Sequence, residues 1–121
     1  MAYAREARDF RHGGPMNESD PARRARREAL QHVMTVLGMA AALRNAGQDE
    51  RAVLLAAREQ IAARGIPGQP GSPEFEAGAA ERKAILDDLN AALRGENQAS
   101  GYGPLTWAEK RIQERLTRLL F

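Results

Sequence analysis

The apolar residues of this chain recur at the three- and four-residue spacing of amphipathic helices. In the first such segment Leu30, Val33 and Leu37 share one side, while Val36 and Leu43 widen the apolar arc beyond a single stripe. We expect a helix with so wide an apolar arc to lie centrally and to be touched by several others. The cleanest stripe is in the last segment, at Ala108, Ile112, Leu116 and Leu119.

Two of the helices are predicted to begin with a serine that caps the first turn and a proline inside that turn. Ser19 and Pro21 start the first helix, and Ser72 and Pro73 start the third. Asp49 can cap the second helix, because its carboxylate accepts hydrogen bonds from the free N–H groups of a first turn.

The fourth helix is predicted to begin with a capping box. In this motif the Thr106 hydroxyl accepts from the backbone N–H of Glu109, and the Glu109 side chain reaches back. Glycines follow the first three helices and end them. The predicted bounds of the four helices are about 21–46, 49–65, 73–94 and 106–121.

Two long loops separate these helices, and no strand is predicted. Residues 66–73 contain three prolines and two glycines, and residues 95–105 lack any periodicity. Short connections favour antiparallel neighbours, so the first two helices should form a hairpin with the other two packed across it. The fold class is therefore all-α, a small irregular four-helix bundle that comprises residues 19–121 as one domain.

Residues 1–18 precede this bundle as an N-terminal arm. Tyr3, Ala7 and Phe10 are spaced like one face of a short helix, and two glycines and a proline at 13–15 break it. We expect a short helix that docks on the bundle, docks on a partner or frays.

Composition favours a folded protein of one domain. Of its 121 residues 43% are hydrophobic and 28% charged, and no cysteine is present. No segment approaches the roughly 20 apolar residues of a membrane span, and the first ten residues lack the apolar core of a secretory signal. We therefore expect a cytoplasmic protein without membrane contact. The abundance of Arg and Ala suggests a GC-rich bacterial or phage genome.

The sequence offers no recognisable catalytic or metal-binding motif. His12 and His32 are far apart, and neither has a partner at the spacing that zinc ligands use. His32 borders the apolar arc of the first helix, which favours a structural role. No nucleophile motif or phosphate-binding loop occurs. We therefore predict a protein that is not an enzyme, with no catalytic residue, no cofactor and no metal.

Pairs of acidic residues have simpler explanations than catalysis. Two pairs, 49–50 and 74–76, lie in the first turn of a helix, where the helix dipole favours negative charge. The third pair, Asp87 and Asp88, is expected on a solvated face.

Four arginines in the first two turns of the first helix form one candidate binding site: Arg23, Arg24, Arg26 and Arg27. Positive charge is disfavoured at this end of a helix, so something else must compensate it. Arg26 also shares the side of Leu30, so either its stem covers the core edge or these turns protrude. Protruding arginines would suit nucleic-acid phosphates or an acidic partner. Alternatively, neighbouring acids neutralise a solvated patch.

The second candidate site lies around the last loop and the last turn. Tyr102 and Trp107 flank the start of the fourth helix, and Leu120 and Phe121 end it. Aromatic residues are enriched in interface cores, so these residues are candidates for a partner or dimer interface. The alternative is packing within the bundle.

The leading hypothesis is a non-enzymatic protein–protein interaction module, such as a small adaptor, inhibitor or regulator, possibly encoded by a phage or mobile element. Its partner is expected to be a protein, and a homodimer is an alternative. A first alternative is a nucleic-acid-binding accessory protein that contacts backbone phosphates through the arginines. A second is a small all-α enzyme with a charged site between helices.

Overall fold

The structure, a computed structural model, describes residues 18–120. Four α-helices and one three-residue 3-10 helix, Gln98–Ser100, make up the regular structure of this range, which contains no strand. This confirms the all-α four-helix bundle. The predicted helix in the arm and the terminal Phe121 lie outside the described residues. The four helices are α1 (Asp20–Asn45), α2 (Glu50–Ala63), α3 (Pro73–Leu93) and α4 (Pro104–Leu120).

The predicted caps of the first three helices are present. Ser19 and Ser72 each accept a hydrogen bond from the backbone N–H three residues further on, at 3.3 and 3.1 Å. Asp49 accepts in the same way at 2.9 Å. The prolines at 21 and 73 lie in the first turns of α1 and α3. Local sequence therefore determines where these helices begin.

Helix α4 begins at Pro104, two residues before the predicted capping box. The prediction that Thr106 caps this helix is wrong, because Thr106 lies inside the first turn and accepts from Nη1 of Arg44 at 3.1 Å. The capping acceptor comes from α2 instead. Oε2 of Glu50 accepts from the backbone N–H of Leu105 at 2.9 Å. Proline suits the first position because it has no N–H to be satisfied.

Gly103 makes room for this carboxylate. A Cβ at position 103 would lie 2.9 Å from Oε1 of Glu50 and closer still to Oε2. The Gly103 carbonyl also accepts from the backbone N–H of Trp107 at 3.0 Å, the first hydrogen bond of α4. A side chain at this position would therefore push Glu50 away from the helix that it caps.

Helix α1 is the central element of the bundle, as its wide apolar arc predicts, because it packs against each of the other three helices more extensively than they pack against one another. All four helices contribute large side chains to one continuous core. The largest fully buried residues are Leu30, Val33, Leu37, Leu54, Ile61, Ile85, Leu89, Leu105 and Ile112.

Replacing Gly103 with Ala is expected to lower the free energy of unfolding by about 1–2 kcal/mol, because the new methyl group and the Glu50 carboxylate compete for one place. Chemical denaturation measures this loss. In a Glu50→Ala background the cost of Gly103→Ala should fall by at least half, since the two residues interact. An equal cost in both backgrounds would show that Glu50 is not responsible.

Candidate functional site

The four arginines at the start of α1 have different surroundings. Arg26 is half-buried, and its guanidinium pairs with Glu18 at 2.8 Å and with Glu81 of α3 at 3.1 Å. These hydrogen bonds, Glu18 foremost, raise the pKa of Arg26 further above its ordinary value. Nη2 of Arg23 donates to the carbonyl of Leu119 in the last turn of α4 at 3.3 Å. Two of the four arginines therefore connect parts of the bundle.

Of the other two arginines, only Arg24 is more exposed than Arg23 and Arg26. Arg24 is exposed and Arg27 is half-buried. The outward-facing part of the predicted basic surface is therefore smaller than the sequence suggests.

Arg26 begins a chain of alternating charges that crosses three helices. Glu81 of α3 pairs with Arg26 and, at 3.8 Å, with Arg115 of α4. Nε of Arg115 also donates to Asp88 at 2.9 Å, and Asp88 in turn pairs with Arg111 at 3.3 Å. We refer to Glu18, Arg26, Glu81, Arg115, Asp88 and Arg111 as the charge chain.

The prediction that Asp88 lies on a solvated face is wrong. Asp88 is 5% exposed, because arginines of α4 cover it. Its neighbour Asp87 is exposed and pairs with Lys83 at 3.0 Å, one turn earlier in α3. Each carboxylate of the charge chain has an arginine partner, so the chain suits a clamp between α1, α3 and α4 better than a reactive site.

The second group of predicted partner-binding residues is divided between the two ends of α4. Tyr102 is exposed, with Nζ of Lys110 4.9 Å from the centre of its ring, and Trp107 is half-buried against the core. Leu120 is exposed at the opposite end, about 20 Å along the helix from Trp107, next to Leu119, whose carbonyl accepts from Arg23 of α1. The structure therefore brings Leu120 close to the arginines but keeps the two aromatic residues apart from them.

A different surface lies on α1, α2 and the turn between them. Residues 29–43 of α1 contain no Asp, Glu, Lys or Arg for fifteen positions, although several of these residues are exposed. The exposed residues of α2 that line the groove beside α1 are uncharged too. The charged residues Glu28 and Glu59 lie at the edge of this surface. We define the α1–α2 face as ten exposed, uncharged residues: Gln31, Thr35, Gly38, Met39, Ala42, Leu43, Gln48, Ala52, Ala56 and Gln60.

A groove of about 180 Å³ runs along this face between the two helices. Met39 and Leu43, which are 59% and 45% exposed, line it on α1, and Ala52 and Ala56 line it on α2. Long flexible side chains opposite small ones leave a depression that an apolar side chain can enter. Exposed methionine together with depletion of charge is the composition of an interface core.

His32 lies two turns from Met39, on the side of α1 that faces α2, and lines a smaller pocket of about 40 Å³. Its Nε2 is buried without a hydrogen-bond partner among the described residues. Burial and, to a smaller extent, the positive charge of Arg64 lower the pKa of His32 below its ordinary value of 6.5. The imidazole is therefore neutral at neutral pH.

Gly38 is exposed about halfway along α1, at the edge of the α1–α2 face away from the groove. A Cβ at this position would meet no atom within 4 Å outside the backbone of its own helix. Glycine inside a helix costs about 1 kcal/mol relative to alanine. No packing contact within the described chain therefore accounts for this residue.

Sequence reasoning did not identify the α1–α2 face, because the apolar residues of α1 were all expected to serve the core. The available signal was the fifteen-residue stretch without charge, since an exposed helix face normally carries charged residues.

Comparison with protein-family models, with curated proteins and with solved structures finds no significant match to this chain. Over residues 18–120, no helix is both long enough and apolar enough to cross a membrane. Within the same range, no cluster of three or more His, Asp or Glu side chains has the arrangement of a metal site. The α1–α2 face is thus the candidate that the geometry itself supplies.

Asp88→Ala is expected to lower the free energy of unfolding by about 1–2 kcal/mol, because Arg111 loses its carboxylate partner and Arg115 keeps only the longer contact with Glu81. Asp87→Ala is the matched control and should cause no measurable loss, since its exposed pair with Lys83 is weak. Urea denaturation of the two variants measures the difference. Equal losses would rule out a clamping role for the charge chain.

Acidification from pH 7.5 to 5.5 should destabilise the wild type more than a His32→Gln variant. The folded-state pKa of His32 is lowered, so below pH 6.5 the unfolded chain binds a proton that the folded chain does not. Stability is therefore lost as the pH falls through that window. Denaturation at several pH values measures how the free energy of unfolding depends on pH. The other histidine, His12, is present in both proteins and does not affect the comparison. The same pH dependence in both would contradict the prediction.

Proposed function

We propose that this chain is a non-enzymatic protein–protein interaction module that binds its partner through the α1–α2 face. The observation that carries the proposal is an exposed surface of ten residues without a charge, with Met39 and Leu43 beside an open groove. Such a surface loses little solvation when covered and gains from burial of its apolar side chains. The proposed role is that of a small cytoplasmic adaptor, inhibitor or regulator.

A protein partner suits this face better than a nucleic acid does. Nucleic-acid binding draws most of its affinity from cations that contact phosphates, and the α1–α2 face contains none. The predicted arginine cluster is partly engaged inside the bundle through Arg23 and Arg26. Arg24, which is exposed on the same side of α1 as Gln31, is the predicted residue placed to contribute at the edge of the face.

Affinity capture of the tagged protein from a lysate of its source cells, with nuclease and at high salt, tests the proposal. The wild type is expected to retain a protein in stoichiometric amount, and Met39→Glu should lose it because the new charge would be buried in the interface. Gln113→Glu, on the exposed side of α4, is the matched control and should retain it.

Two results would contradict the proposal. Capture that is equally strong with Met39→Glu would place the binding surface elsewhere. Recovery that disappears with nuclease, and that Arg24→Glu rather than Met39→Glu abolishes, would favour nucleic-acid binding instead.

A further inference from the structure

The pocket beside His32 is lined on one side by the segment that leaves α2. Four consecutive residues of this segment, 64–67, line the pocket, and we call them the strap. The other walls come from α1, from Ile61 near the end of α2 and from α3. Most of the lining is apolar, and a pocket of about 40 Å³ holds a few water molecules at most. An ion formed inside it would therefore be poorly solvated.

Two contacts hold the strap on the bundle. Ile66 is half-buried and lies over Gly78 of α3, where a Cβ would be 3.2 Å from Cγ2 of Ile66. Nη1 of Arg82 donates to the carbonyl of Ala62 at 3.2 Å and also to that of Arg64, on either side of the point where α2 ends. The other strap residues are exposed. So few attachments allow the strap to open while the rest of the bundle stays folded.

His32 is the side chain that a proton would turn into an ion in this pocket. Its Nε2 is buried without a partner among the described residues, and protonation would make this atom a donor without an acceptor. The charged residues that line the pocket are Glu28, one turn earlier in α1, Arg64 of the strap and Arg82 of α3. Two of these three are positive, and Glu28 is exposed to solvent. The closed pocket therefore disfavours an imidazolium.

We propose that the strap opens when His32 binds a proton, so that residues 64–67 form an acid-sensitive cover of this pocket. Opening brings water to Nε2 and moves the charge of Arg64 away from the ring. It breaks only the contacts of Ile66 and Arg82, which is a smaller loss than unfolding the whole bundle. The opened strap also uncovers the apolar side chain of Ile61. The inference does not rest on the proposed function, because neither His32 nor the strap belongs to the α1–α2 face.

Thiol labelling of the full chain tests the inference, because the sequence contains no cysteine. Ala25→Cys places a thiol at a buried position in the pocket wall. Ala92→Cys is the matched control, buried near the end of α3 and about 21 Å along that helix from Gly78. The probe is 4,4′-dithiodipyridine, which labels thiols in mild acid as well as at neutral pH. Each labelling rate is divided by the rate for the same variant in denaturant at the same pH, and denaturation gives the free energy of unfolding of each variant.

Ala25→Cys is expected to be labelled at least about tenfold faster than its global unfolding allows, and Ala92→Cys no faster than its own. From pH 7.5 to 5.5 the normalised rate of Ala25→Cys should rise by up to about tenfold. The reason is that uncovered His32, with an ordinary pKa near 6.5, binds a proton over this range, whereas burial lowers the pKa of the covered ring. A His32→Gln background should remove the rise. Glu28 is present in both backgrounds, so it does not account for a difference between them.

Three results would overturn the inference. Labelling of Ala25→Cys only as fast as global unfolding allows would show that the strap does not open by itself. Faster labelling that is the same at pH 7.5 and 5.5 would show that opening does not respond to acid. A rise on acidification that persists with His32→Gln would assign the response to another group.

NMR of the wild type decides the matter if His32→Gln does not fold. The amide signals of Gly65 and Ile66 in the strap are expected to shift with the same midpoint pH as the ring signals of His32. Strap signals that do not change with pH, or that change with a different midpoint, would overturn the inference.

Discussion

Helix α1 packs against each of the other three helices more extensively than they pack against one another, because its buried side chains cover a wide arc instead of one stripe. The core forms around this helix, with Leu30 and Leu37 fully buried. Its remaining exposed side is uncharged between residues 29 and 43. A helix without a charged face is typical of one that is covered on every side. In the single chain α1 is left uncovered on one side, and the proposed interface covers that side.

Two polar connections hold the other helices in place around α1. The charge chain joins the start of α1 to α3 and α4 through Arg26, Glu81 and Arg115. Glu50 joins the start of α2 to the start of α4. Such half-buried charges are costly unless each finds its partner, so they favour one arrangement of the helices over others of similar apolar burial. Between them, these connections link all four helices.

Much of the fold could be predicted from the sequence because its signals are local. Ser19, Asp49 and Ser72 cap helices through the N–H group three residues ahead, and a wide apolar arc implies a central helix. The start of α4 could not be predicted in this way, because its cap is Glu50, fifty-five residues away from Leu105. Asp88 is a second such case, since its burial depends on arginines more than twenty residues later.

The candidate site was harder to predict than the fold. An arginine cluster attracts attention in a sequence, but the sequence does not reveal that Glu18 and Glu81 already bind Arg26. The α1–α2 face, in contrast, does not stand out in the sequence, because uncharged residues in a helix resemble core residues until their exposure is known. Met39 and Leu43 belong to the apolar pattern of α1, and only the packing of the bundle shows that they are left outside.

The most direct test of the α1–α2 face as a binding surface is two-dimensional amide NMR of the full chain, recorded alone and with the protein that it captures. Binding through this face should shift or broaden the signals of the exposed residues of α1 between Gln31 and Leu43 and of α2 between Ala52 and Gln60, with the exposed side of α4 unchanged. Changes confined to α4, or a spectrum that the captured protein leaves unchanged, would contradict binding through this face.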